Sequence, residues 1–120
     1  MLSNANNSLE LLEVAQKEQL YKKLILQLNK DFELANVGLK FSLGIAPSEL
    51  KKILQEKLYV LLVERFDDYL NLLYVVDIPE NQVKSIKPSD AMEIAAEACF
   101  LLLKREWTKV WFKNQYSSSS

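Results

Sequence analysis

The chain of 120 residues contains no histidine, one cysteine and two glycines. Without histidine it lacks the side chain that titrates nearest neutrality and the commonest transition-metal ligand. Ser-His and Cys-His nucleophiles are thereby excluded, as are di-metal carboxylate bundles, which draw a Glu-x-x-His pair from facing helices. Gly38 and Gly44 alone cannot build a glycine-rich loop around a phosphate. Cys99 has no second cysteine to pair with, so nothing points to an oxidising compartment. Two glycines and three prolines are also too few for the frequent turns of an all-β fold. The longest apolar runs, residues 58–63 and 98–103, fall far short of the ~20 residues of a membrane-spanning helix. Residues 1–7 carry neither a basic region nor an apolar core, so no signal peptide is expected and the location read from the sequence is cytoplasmic.

What is present is a helix-forming composition rich in Leu, Glu and Lys. A hydrophobic share of 49% excludes a disordered chain, because that much apolar surface can offset the entropy of ordering. The length suits one packed domain. A net charge of -1 and a pI near 5.5 argue against nucleic-acid or anionic-lipid binding by the surface as a whole.

The pattern predicts an all-α fold, an antiparallel bundle of three long helices plus one short helix, with an extended segment at 37–45. Asn7 and Glu10 form a capping box that opens the first helix, expected to run to about Asn36. From Val37 to Ile45 apolar residues alternate with Gly38, Lys40, Ser42 and Gly44, the period of an extended stretch with one buried face. Such a stretch lies along the helices, folds into turns, or pairs with a second copy. Pro47 and Ser48 begin the second helix, expected to continue to about Val76. Asp77-Ile78-Pro79-Glu80 reads as a capping box for a short helix ending before Pro88. Ser89 caps the last helix, which should reach about Asn114, with its acids in the first half and its bases in the second. The domain organisation is then a flexible 1–7, one bundle over 8–116 and a flexible serine tail at 117–120.

No catalytic, cofactor-binding or metal-binding residues emerge. Asp67 and Asp68 are consecutive on a helix, point about 100° apart and cannot share a proton. Cys99 sits among Ala95, Ala96 and Leu103, where it reads as a small hydrophobe. The last helix carries the sharper signal. Placing residues at 100° intervals puts Met92, Ala95, Cys99, Leu103, Trp107 and Val110 on a core face. Ile94, Ala98, Leu101 and Phe112 fall opposite, so Ile94, Leu101 and Phe112 are a candidate interface with a protein partner or a second copy. Lys104, Arg105, Lys109 and Lys113, interleaved with Trp107, Trp111 and Tyr116, form a candidate basic patch. That patch carries the alternative reading, a small nucleic-acid or phosphate-binding module. Helix-dipole complementarity explains the same bases without any ligand.

Two stretches, FDDYLNLLYVVDIPE at 66–80 and KREWTKVWF at 104–112, resemble a family of small, uncharacterised, all-helical bacterial proteins. The resemblance implies a bacterial, cytoplasmic protein and brings no catalytic or ligand motif with it. The expected function is that of a non-enzymatic helical interaction or structural protein.

Overall fold

The computed structural model describes residues 4–87 and 89–118, three quarters of which are helical, and no strand occurs among them. Where three long helices and one short were expected, six form: α1 (Ser8–Lys17), α2 (Tyr21–Leu34), α3 (Pro47–Glu64), α4 (Phe66–Val76), α5 (Glu80–Lys84) and α6 (Ala91–Ser118). α6 spans 28 residues, close to the full 44 Å of the molecule, and packs against α1, α2, α3 and α4. One core joins these five helices, built on Leu11, Leu24, Leu28, Phe32, Leu54, Leu58, Leu72, Leu102 and Trp107. Among the described residues no helix is long and apolar enough to cross a membrane.

The Asn7 capping box forms as expected. Asn7 Oδ1 accepts from the Glu10 amide at 2.9 Å, and the Glu10 carboxylate accepts from the Asn6 amide and the Asn7 side chain. The expected first helix, however, ends at Lys17. Gln19 adopts a left-handed backbone (φ 59°), and the amides of Gln19 and Leu20 turn back to the carbonyls of Gln16 and Ala15. This hydrogen-bond pair closes a helix C-terminus and satisfies carbonyls that the next turn would have taken. The same device recurs at Asn36 (φ 59°), ending α2, and at Asp77 (φ 70°), ending α4. Each time the following residue, Leu20, Val37 or Ile78, is apolar and buried. Asp77 therefore terminates α4 rather than capping α5, which starts after Pro79. Neither glycine has a positive φ, so the chain's only residues free of the left-handed penalty are used elsewhere.

The expected second helix divides at Arg65, which leaves the helical region (φ -143°, ψ 62°) and separates α3 from α4. Pro47 occupies the first helical position of α3 and Ala46 precedes it as the cap, so Ser48 lies inside the helix. α6 is capped by Asp90, one residue later than expected, its carboxylate accepting from the Glu93 amide at 2.9 Å. The helix passes Asn114 and takes in Ser117 and Ser118, half of the expected serine tail; residues 119–120, and 1–3 of the expected N-terminal arm, lie outside the described residues.

Residues 37–46 form no strand. They run as an irregular connector with Val37 and Phe41 buried and Leu43 exposed. The Asn29 side chain takes the place of a neighbouring strand: its amide donates to the Phe41 carbonyl at 2.9 Å and its oxygen accepts from the Phe41 amide at 2.8 Å. Tyr21 donates its hydroxyl proton to the Ile45 carbonyl at 2.6 Å. The alternation at 37–45 thus reports side-chain burial along the helices rather than sheet pairing.

Candidate functional site

The core stripe of α6 is Ala95, Ala98, Cys99, Leu102, Leu103, Glu106, Trp107 and Val110, a run of i, i+3, i+4, i+7 steps. Glu106 is fully buried on it. Facing it, α2 buries Leu24, Ile25, Gln27, Leu28, Asp31 and Phe32. Packing α2 on α6 therefore brings two acids together inside the molecule. Lys109 closes the cluster, its Nζ lying 2.8 Å from Asp31 Oδ2 and 2.9 Å from Glu106 Oε1.

An isolated buried carboxylate costs several kcal/mol, so two acids beside one lysine must settle their charge. They do so by dividing roles. Burial pulls the Asp31 carboxyl up, yet hydrogen bonds from Glu106, Lys109 and Gln27 outweigh it and hold it below the ordinary range. Burial, reinforced by the neighbouring Asp31, pushes Glu106 up to about 8. Glu106 consequently keeps its proton at neutral pH and shares it with Asp31, and the cluster is electrically neutral. Lys109 is drawn down by burial but raised further by the two acids, and stays charged. An acid, a carboxylate and an ammonium are the ingredients of proton-transfer chemistry, but Asp31 and Glu106 are sealed from solvent and offer no opening to a substrate.

From this cluster a chain of contacts leads outward. Gln27 donates to Asp31 at 3.2 Å and accepts from Lys113 Nζ at 3.0 Å. Lys23 Nζ donates to Asn114 Oδ1 at 3.3 Å. Between α2 and the last turns of α6 this leaves an open groove of about 350 Å³.

The four bases of the candidate patch do not share one surface. Lys104 is exposed with its Nζ 5.6 Å above the Phe100 ring, and Arg105 pairs with Asp77 at 3.0 Å. Lys109 is turned inward and Lys113 is held by Gln27. Trp107 is buried beside Trp111, their rings 6.3 Å apart, and its indole nitrogen has no hydrogen-bond partner. Of the candidate interface, Ile94 is half-buried, Leu101 is half-buried against the core, and Phe112 is exposed. Two neighbours correct the face assignment: Ala98, placed opposite the core, is fully buried, while Met92, placed on it, is 68% exposed. Cys99 is buried, accepts a weak hydrogen bond from Ser8, and has its thiol pushed by burial up to about 11. Asp68 pairs with Arg65 on the surface, in an open depression that Glu64, Phe66 and Asp67 also line. Among the described residues no three Cys, Asp or Glu side chains converge as a metal site.

The larger apolar surface lies elsewhere. Tyr59, Val60 and Val63 on α3 and Phe66, Leu70 and Tyr74 on α4 are exposed at helical spacing. A groove of about 740 Å³ between α1, α3 and α6 shares Tyr59 and Val60 with this face and adds Leu9 and Met92. Comparison of the chain with known protein families, curated proteins and solved structures finds no match, and the resemblance of residues 66–80 and 104–112 carries nothing further.

Proposed function

We propose that this chain is a non-enzymatic helical interaction protein that associates with a second copy of itself through the outward face of α3 and α4. The observation that carries the reading is the concentration of exposed large apolar side chains there. Val63, Phe66 and Tyr74 are 55%, 52% and 77% exposed, with Tyr59, Val60 and Leu70 among them. Together they present on the order of 600 Å² of apolar surface, the upper end of what a monomer shows and close to one half of a standard interface. The order of charge along the face supports a second copy as occupant. Lys51 and Lys52 stand in the first turns of α3, Glu64 and Asp67 at its junction with α4. A two-fold contact that lays α3 antiparallel to its copy sets the lysines of one against the acids of the other, so that unlike charges meet at both rims.

The test is sedimentation with circular dichroism on wild type and the Val63→Glu/Leu70→Glu variant. The expected result is a dimeric wild type and a folded, monomeric variant, since both positions are solvent-exposed within one chain. Phe112→Glu should leave the dimer intact, because Phe112 belongs to a different helix face. A wild type that stays monomeric at high micromolar concentration overturns the reading.

A further inference from the structure

We propose that the groove between α2 and the last turns of α6 is a binding site for a small phosphorylated anion, held by Lys23, Lys30 and Lys113. The site is independent of the association through α3 and α4. Three lysines line a groove of about 350 Å³, with no carboxylate among its described lining residues, in a chain whose net charge is -1.

The partners of Lys23 and Lys113 distinguish them from the bases that the fold pairs with acids. Arg105 faces Asp77, Lys84 faces Glu80, and Lys109 faces Asp31 and Glu106, so each is neutralised where it stands. Lys113 and Lys23 instead donate to neutral amide oxygens, those of Gln27 and Asn114. An amide oxygen fixes the position of an ammonium without cancelling its charge, and leaves two of its three protons for a ligand.

The buried cluster explains why this geometry is held. Gln27 is itself nine-tenths buried, and its NH₂ group is committed to Asp31. Its oxygen must then point the other way, toward Lys113. Asp31 is in turn fixed by Lys109. A run of directed contacts thus passes from the ion pair in the core to an ammonium at the rim, which is the kind of preorganisation that a polar binding site requires.

Size and charge together select the ligand class. The volume is near the lower end for small-molecule sites and suits a diphosphate, a triphosphate or a sugar phosphate. A nucleic-acid strand would need an extended basic track, and Arg105 and Lys109, the next bases along α6, are already neutralised.

The experiment is a ¹⁵N-edited NMR titration of the full chain with sodium tripolyphosphate, followed by adenosine triphosphate and glucose 6-phosphate to separate nucleotide from sugar-phosphate ligands. Saturable shifts confined to residues 23–30 and 110–117 are expected with at least one of these anions. Lys23→Gln/Lys30→Gln/Lys113→Gln should weaken the binding about tenfold or more, whereas Lys104→Gln, outside the groove, should leave it unchanged. All four positions are exposed, and circular dichroism confirms that the variants fold. Shifts spread over every lysine, equal binding by the triple variant, or binding of an oligonucleotide without any of the three small anions would each overturn the proposal.

Discussion

Glu106 holds a proton that few glutamates hold at neutral pH, and that makes it the residue with the clearest signature in solution. Its folded pKa of about 8 lies above the ordinary 4.5, so its contribution to stability is fully present below about pH 4.5 and is lost as the pH rises through 8. Asp31 has the opposite sign: its carboxyl is lowered, so its contribution holds above the ordinary value of 3.8 and fades as the pH falls below it. Glu106→Gln keeps a donor toward Asp31 and removes the titration. The variant should therefore match wild type near pH 5 and be the more stable protein at pH 9, by on the order of 2 kcal/mol in urea unfolding. A wild type whose stability is flat between pH 5 and 9 would contradict the assignment. The cluster was half legible in the sequence. Glu106 falls three residues after Leu103 and four before Val110, and Asp31 three after Leu28, which are core positions by spacing. Periodicity locates a buried acid in this way. It does not say that two such acids on helices 75 residues apart in sequence meet, because that depends on how α2 packs against α6.

At the scale of elements, the ends of the helices decide how far the periodicity can be followed. The stripe through Leu62, Phe66 and Tyr69 keeps helical spacing across the break at Arg65, so the sequence reads as continuous helix where the backbone turns. No glycine or proline stands at 19 or 65 to mark the change. The three left-handed caps are carried by Gln, Asn and Asp, and of these Gln is the least suited, lacking the short side chain that bonds locally. Gln19→Gly should remove that strain and raise stability by about 0.5–1 kcal/mol, read as a higher thermal midpoint. A lower midpoint would mean that Gln19 makes compensating contacts through its side chain. The cap at Asn7 was legible because its side-chain acceptor leaves a composition signal, whereas at α6 the neighbouring acceptors Ser89 and Asp90 gave the same signal and the expectation fell on Ser89, one residue early. The role of Asn29 was not, since nothing local distinguishes an amide that pairs with a connector twelve residues away.

For the whole molecule, the distribution of charge and apolar surface sets how copies meet. If the two-fold contact is correct, Lys52→Glu places like charges at both rims and should weaken association about three- to tenfold, and Lys52→Glu/Asp67→Lys should recover most of the loss. Both effects should shrink in high salt, and an unchanged dissociation constant in the single variant would remove the charge argument. The architecture itself has a temporal consequence. α6 is the common partner of α1, α2, α3 and α4, yet it is the last of the six to be synthesised. Leu11, Leu24, Leu28, Leu54 and Leu58 therefore leave the ribosome before the helix that completes their core. The nascent chain has to hold that surface out of aggregation until Val110 has emerged, when α6 can dock on contacts distant in sequence.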